Sequence, residues 1–267
     1  MENVSLLQLA PVAIAAVGYG VRARTLARRG TPVPWWRVAL FATGLLLLVI
    51  AFAPPLESLT DERFAGHMTQ HLLLGDLAPL ALLAGLTGPL LRPLLALPPF
   101  RVLRVLAHPL VALPLWVANL YLWHLPFAYE AAIENDAVHA LEHAAFFTTG
   151  LLMWSPVLET LPAPAWFGTI AKLGYIVVVR IATTILGNVF LWTEDVVYDP
   201  YLGAGSSDQA LAGALMTIEG SIVTLAAFAW LFLRLFAEGE RRQELLESGA
   251  DPRTVERAVR YGRAEDL

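Results

Sequence analysis

Two short stretches of the chain each carry a pair of histidines spaced four residues apart. The first pair is His67 and His71, and the second is His139 and His143. On an α-helix this spacing puts both imidazoles on one face, one turn apart, so that the two rings can bind a single ion. Because neutral imidazole is the commonest protein ligand for metals, the two pairs predict a metal site between two helices.

The other available donors narrow the choice of metal. The chain has no cysteine, so a bound metal would be held by His, Met, carboxylate or backbone oxygen. Met68 lies beside the first pair, and Met216 lies in the last apolar segment. A thioether favours Cu(I), whereas imidazole and carboxylate alone suit zinc, nickel or Cu(II) equally well. Methionines in transmembrane helices more often pack against neighbouring side chains than bind a metal, so packing and metal binding both stay open for Met68 and Met216. Glu142 and Gln70 lie within the two stretches that carry the histidine pairs, where their side chains can orient the imidazole rings.

The composition places these residues in a membrane. Of 267 residues, 57% are hydrophobic and only 15% are charged, whereas soluble domains carry about 25% charged residues. The chain offers seven apolar segments of roughly the length that a membrane span requires. These segments are residues 4–21, 36–54, 67–91, 109–125, 138–157, 170–191 and 210–236. The third contains Pro79, Gly85 and Gly88 and is predicted to be kinked or broken.

The fold predicted from this pattern is an all-α integral membrane protein, a bundle of seven transmembrane helices. The bundle occupies residues 1–236, and residues 237–267 form a short cytoplasmic helical tail. The first loop, the third loop and the tail carry most of the arginines, whereas the second, fourth and sixth loops carry only Arg63. By the positive-inside rule the N-terminus lies outside and the C-terminus in the cytoplasm. The outer loops are acidic and would attract cations.

In this topology five of the six histidines lie at the outer side, because His124 ends the fourth segment there. Histidines at that depth can also serve as interfacial residues that bind nothing. Two pairs and a fifth ring at matched depth favour the metal site, since ionisable groups in membrane spans are costly and tend to mark function. The sixth histidine, His108, precedes Pro109 at the inner side of the membrane. A capping or interfacial role explains it more simply than metal binding does.

Three charged residues are predicted near the middle of the membrane: Asp76, Arg180 and Glu219. A lone charge at this depth costs several kcal/mol. We therefore expect the three side chains to form an ion pair or triad that fixes the packing of three helices. A proton or ion path is the functional alternative.

The motifs around these residues resemble those of a known family. They are His67-Met68-Thr69-Gln70-His71-Leu72-Leu73-Leu74 leading to Ala78-Pro79, Trp123-His124-Leu125-Pro126, His139 to His143 with Phe146 and Trp154-Ser155-Pro156, and Asp208-Gln209 with Gly213, Met216 and Gly220. Together they cover nearly the whole apolar region. The chain resembles the CtaG family of caa3-type cytochrome c oxidase assembly factors, which are seven-helix proteins of the bacterial plasma membrane.

The resemblance implies a non-enzymatic role in maturing a haem-copper oxidase, with copper handled at the outer face of the membrane. It also marks Met216 more strongly than spacing does. The expected metal ligands are His67, Met68, His71, His124, His139, His143 and Met216. Copper as Cu(I) is favoured, and zinc stays an alternative. Expected partners are an oxidase subunit and the lipid bilayer, self-association stays open, and no nucleic acid is expected.

Two other functions stay open from the residues alone. An intramembrane hydrolase would hold zinc with three histidines and a carboxylate and activate water. Against it, Asp76 points about 140° away from His71 on an ideal helix, and Glu142 is the other carboxylate at hand. A b-type haem protein would use two histidines from facing helices, although pairs spaced four apart more naturally bind one small ion. Copper transport would need soft ligands toward the cytoplasm, where only Met153 lies.

Overall fold

The computed structural model describes residues 2–97, 102–161, 163–252, 254, 255 and 258, and the elements formed by these residues are helical. The α-helices are α1 (Glu2–Arg28), α2 (Trp35–Ala51), α3 (Leu56–Thr60), α4 (Phe64–Leu72), α5 (Ala78–Gly85), α6 (Gly88–Leu95), α7 (Val102–Leu106), α8 (Pro109–Trp123), α9 (Pro126–Glu134), α10 (Asp136–Leu158), α11 (Thr169–Trp192) and α12 (Gly205–Glu247). A π-helical turn, Leu73–Leu77, joins α4 to α5, and a 3-10 turn covers Asp199–Tyr201.

Each of the seven apolar segments coincides largely with helix. The predicted break in the third segment is confirmed: the backbone is extended at Leu86 and Thr87, and the helix axis turns by 101° between Phe64–Gly85 and Gly88–Leu95. Among the described residues, α11 and α12 are long and apolar enough to cross a membrane. The count rises to four if each of two bent helix pairs is one span. Seven spans and the orientation of the termini stay predictions.

The chain forms two compact units. The first comprises residues 1–163 and 182–219, and the second comprises residues 164–181 and 220–267. Helices α11 and α12 each contribute to both units. Helix α12 continues without a break past the predicted boundary between bundle and tail, at residues 236 and 237. Residues 253, 256, 257 and 259–267 of that tail lie outside the described residues.

Close helix contacts in the first unit position its histidines. A Cβ atom at Gly150 of α10 would collide with the carbonyl oxygen of Gly75 in the π-helical turn, so the two backbones touch there. Helix α2 also packs closely against α5, where a Cβ atom at Gly44 would lie 2.8 Å from the backbone nitrogen of Leu82. Because α4 continues into the π-helical turn, the contact at Gly150 brings the histidines of α4 and α10 side by side.

In the second unit, Glu238 ties the beginning of α11 to α12. Its Oε2 accepts a hydrogen bond of 2.9 Å from the Thr169 hydroxyl, and its Oε1 accepts one of 2.7 Å from Arg234 Nε. Arg180 lies on the part of α11 in this unit, where its Nη2 donates to the Ser221 hydroxyl of α12. The hydrogen bonds of Thr169 and Arg180 therefore join α11 to α12, and Arg234 holds Glu238 from the same helix.

Candidate metal centre

Three histidines and one glutamate converge between α4 and α10. His67, His71, His139 and Glu142 each offer one ligand atom, and these four atoms lie within 4.8 Å of one another. The Nε2 atoms of His67 and His71 are 2.9 Å apart. Glu142 Oε2 lies 3.7 Å from the first nitrogen and 3.6 Å from the second. Two ligand atoms bound to one ion at about 2.1 Å in tetrahedral geometry are about 3.4 Å apart, so this arrangement fits one metal ion.

The electrostatics of the cluster also suit a cation. His67 and Glu142 are fully buried, and His71 is 5% exposed. Neither carboxylate oxygen of Glu142 has a hydrogen-bond partner among the described residues. Buried carboxylates without hydrogen bonds are costly and rare. A cation bound by the three imidazoles and this carboxylate would provide the missing partner.

The hydrogen bond on the far side of His67 selects the tautomer that can bind a metal. The Tyr201 hydroxyl donates to the carbonyl oxygen of Thr60 at 2.8 Å and lies 3.3 Å from His67 Nδ1. Because its single proton is used by that carbonyl, the hydroxyl accepts from Nδ1–H, which leaves the Nε2 lone pair facing the cluster. Burial raises the pKa of Tyr201 above its ordinary value, so the phenol keeps its proton at neutral pH.

Replacing Tyr201 with phenylalanine tests this arrangement. We expect the affinity for metal to fall by about 10- to 100-fold, since hydrogen bonds to a ligating histidine typically contribute that much. Competition titration against a metal chelator measures the change. Tyr121→Phe is the matched control, because that hydroxyl donates to the Ala182 carbonyl away from the cluster. Equal affinities in the two variants would show that Tyr201 does not orient His67.

Aromatic side chains cover the cluster on the side of Tyr201. The rings of Tyr129 and Tyr198 stack with centroids 3.9 Å apart, and Phe64 meets both edge-on. The Tyr129 ring lies 5.0 Å from that of His67. The sequence did not predict this cover, because its members belong to a helix start, a short helix and a loop, which share no periodic pattern.

Polar caps determine where the elements around the site begin. The Asn135 side chain accepts hydrogen bonds from the backbone N–H groups of Ala137 and Val138, so α10 begins one turn before His139. Asp208, at the beginning of α12, accepts from the backbone N–H of Ala65 at 3.3 Å. A carboxylate at a helix N-terminus is favourable, so this contact fixes the beginning of α4 one turn before the first histidine pair.

The remaining histidines lie at different distances from the cluster. The ring of His143 lies 4.2 Å from that of His139 and 5.5 Å from that of His71, although His143 is not one of the four converging ligands. His124 is also outside that group. His108 caps α8 by accepting from the Leu110 N–H, which confirms its predicted capping role.

A small cavity in the first unit is lined by the two methionines and by one histidine of the four-ligand cluster. Its volume is about 50 Å³, and Met68, Met216, His124 and His71 contribute to its lining. His67, His139 and Glu142 do not line it. Only His71 therefore belongs to both places, whereas the sequence analysis assigned all seven predicted ligands to one site.

Asp76 lines the same cavity, and the expectation that it points away from His71 is wrong. The π-helical turn Leu73–Leu77 begins after His71 and includes Asp76. Such a turn inserts one residue, which rotates the following positions by about 100° relative to a regular α-helix. Because Asp76 lies within this turn, its angle from His71 is smaller than the about 140° expected on an ideal helix.

Two members of the predicted charged triad, Asp76 and Glu219, lie together. Asp76 accepts a hydrogen bond from Trp154 Nε1 and lies within hydrogen-bonding reach of Glu219. Both carboxyls line the cavity. Arg180 belongs to the second unit, where its described contact is with Ser221.

The two residues predicted to orient the histidine rings are placed differently from each other. Glu142 lies among the converging ligand atoms, so it is a candidate ligand itself. Gln70 donates a hydrogen bond of 2.7 Å from Nε2 to the carbonyl oxygen of Ala51, at the end of α2. Gln70 thus fixes α4 against the end of α2.

The geometry does not suit a haem. His67 and His71 cannot together be the two axial ligands of a haem, because these must lie on opposite faces of the porphyrin and their Nε2 atoms are 2.9 Å apart on one helix. The adjoining cavity of about 50 Å³ is far smaller than the about 300 Å³ or more of typical cofactor sites. The cluster fits one small ion.

Comparison with known proteins agrees with the motifs in the sequence. Uncharacterised proteins of Mycobacterium bovis and Mycobacterium tuberculosis are each 24% identical over 227 residues, which cover 72% of this chain and 34% of the relative. The chain thus spans about a third of the length of these relatives. No solved structure matches it. The profile of the cytochrome c oxidase caa3 assembly factor family, Caa3_CtaG, matches residues 17–238. The chain therefore belongs to the cytochrome c oxidase caa3 assembly factor family.

Proposed function

We propose that this protein binds copper in the cluster of His67, His71, His139 and Glu142 and helps to metallate a haem-copper oxidase. One observation carries the proposal: four ligand atoms on two helices lie within 4.8 Å of one another in a buried site. Assembly of an oxidase that contains copper and haem requires delivery of both. The donor set and the size of the site suit the copper ion and not the haem.

The protein acts in this proposal as a carrier and not as an enzyme. Its seven helices span the bacterial plasma membrane with the N-terminus outside, which puts the cluster near the outer face. The acidic outer loops concentrate cations there, and the ion then passes to an oxidase subunit that docks in the membrane. A second copy of the chain is an alternative partner at the same surface.

Zinc is the second candidate metal, with hydrolysis as its function. The donor set of three imidazoles and one carboxylate resembles that of catalytic zinc sites, and the π-helical turn places Asp76 on the cavity beside His71. A zinc hydrolase would retain zinc in preference to copper and would cleave a lipid or peptide bond. Metal content and hydrolysis assays therefore separate the two functions.

The metal content of the detergent-purified protein tests the copper proposal. After anaerobic loading with Cu(I), we expect the His67→Ala, His139→Ala double variant to lose the copper held by the cluster, because two of its three imidazoles are gone. His108→Ala is the matched control, since it removes a histidine that caps α8. The proposal would be contradicted if the double variant held as much copper per chain as the wild type and had lost no copper bound through nitrogen.

The same variants test the role in assembly. In a bacterium that makes a caa3-type oxidase and lacks its own family member, we expect the wild type and His108→Ala to restore copper-dependent oxidase activity. The double variant should leave the oxidase with haem but deficient in copper. Full oxidase activity with the double variant would show that assembly does not use this site.

A further inference from the structure

The cavity beside the cluster contains an unusual set of donors. Its lining of apolar side chains is interrupted by two thioethers, Met68 and Met216, and by two imidazoles, His71 and His124. Its volume of about 50 Å³ exceeds the space that one water molecule needs. An ion or ordered water therefore fits inside.

The ring of His124 is oriented to leave an unused lone pair. Its Nδ1 lies 2.7 Å from the carbonyl oxygen of Leu120, and a carbonyl can only accept, so Nδ1 carries the proton. Its Nε2 is then an acceptor, and it has no hydrogen-bond partner among the described residues. His124 is 8% exposed, so that water outside the protein does not supply the partner.

The two methionines are buried at the same cavity from different helices. Met68 of α4 is 1% exposed and Met216 of α12 is 4% exposed. Close packing holds α12 against the end of α11, because a Cβ atom at Gly213 would lie 2.6 Å from the backbone nitrogen of Leu191. The two methionines thus line one cavity from two helices, and the contact at Gly213 holds the helix that carries Met216.

These donors match a monovalent soft cation. Thioether sulfur with imidazole nitrogen selects Cu(I) over zinc and other divalent ions. A buried cation also requires nearby negative charge, and the carboxyl groups of Asp76 and Glu219 line the same cavity. The four-ligand cluster has no thioether in its donor set and does not share this selectivity.

We infer that the cavity is a second copper site, specific for Cu(I), with Met68, Met216 and the Nε2 of His124 as ligands. This inference rests on the proposed function, because it takes from that function that copper is the ion the protein binds. His71 lies in both the cluster and the cavity lining, so the two sites adjoin at one side chain. An ion can therefore pass from the nitrogen and oxygen cluster to a softer set of ligands without crossing an apolar gap.

Copper loading of the full-length protein tests this inference with three samples. The wild type should bind two Cu(I) ions per chain, and its X-ray absorption spectrum should show sulfur among the copper ligands. Met68→Leu with Met216→Leu, a change that conserves volume, should bind one ion through nitrogen and oxygen only. His67→Ala with His139→Ala should keep one ion with sulfur. Met153→Leu is the matched control, because Met153 is fully buried and does not line the cavity.

Each outcome bears on one site separately. A wild type without sulfur among its copper ligands would mean that the cavity holds only water, and the inference would be overturned. Two ions retained by the double Met→Leu variant would also overturn it. One sulfur-bound ion in the wild type, unchanged by His67→Ala with His139→Ala, would support the cavity site and contradict the proposed function of the cluster.

Discussion

Replacing Glu142 with glutamine is expected to lower the affinity of the cluster for copper by about 100-fold or more, or about 2.7 kcal/mol. The change keeps the shape of the side chain and removes the negative charge opposite the ion. Glu142 is fully buried, and a charge in a site of low dielectric constant acts more strongly than one in water. The measurement is the rise in thermal unfolding temperature on adding Cu(I), which depends on affinity.

The metal-free variant separates a metal site from a structural cluster. If the carboxylate lacks a cation in the metal-free protein, Glu142→Gln removes an unpaired buried charge, so metal-free stability should stay equal or rise. If Glu142 were instead paired with a protonated histidine, breaking the pair would cost about 3–5 kcal/mol. Glu134→Gln is the control, because Glu134 is exposed at the end of α9. A large loss of metal-free stability in Glu142→Gln alone would contradict the proposed site.

Placing a side chain at Gly150 is expected to separate α10 from the π-helical turn. The carbonyl oxygen of Gly75 occupies the position of the new Cβ atom, and backbone cannot rotate away as a side chain can. Gly150→Ala should destabilise the protein by about 1–3 kcal/mol, and Gly150→Leu should leave little folded protein. Thermal unfolding and size-exclusion chromatography in detergent measure both effects.

A second glycine provides the comparison. Gly174 lies inside α11 with no atom within 4 Å of a built Cβ, so Gly174→Ala should leave stability unchanged or raise it by up to about 1 kcal/mol. Copper binding should fall in Gly150→Ala and not in Gly174→Ala, since the cluster bridges α4 and α10. Equal unfolding temperatures for Gly150→Ala and the wild type would show that these helices tolerate a wider spacing.

Features that depend on neighbours along one helix could be predicted from the sequence. The spacing of His67 and His71 places both rings on one face of α4, because residues four apart are adjacent on any α-helix. The break between Gly85 and Gly88 follows from residues that do not continue a helix. The cap of α8 by His108 also depends only on neighbouring residues, since its side chain accepts from the N–H of Leu110.

Other features of the site depend on a departure from regular helix geometry. The direction of Asp76 was predicted wrongly, because Asp76 lies within the π-helical turn Leu73–Leu77, where each residue is rotated less about the helix axis than in an α-helix. Apolar residues such as those around Gly75 are compatible with α- and π-helix alike, so no pattern in the sequence distinguishes the two. The contact of α10 with that turn is seen only in the tertiary structure, where the Gly75 carbonyl oxygen lies so close to Gly150 that no Cβ atom fits there.

The sequence by itself determined which residues are able to bind a metal and which of them share a helix face. The tertiary structure alone decided their grouping: Glu142 joins three histidines as a candidate ligand, whereas Met68, Met216 and His124 line a cavity. It also brought Tyr201 to His67, 134 positions away. The physical reason is that helix periodicity sets angles within one element, while contacts between elements depend on how closely their backbones approach.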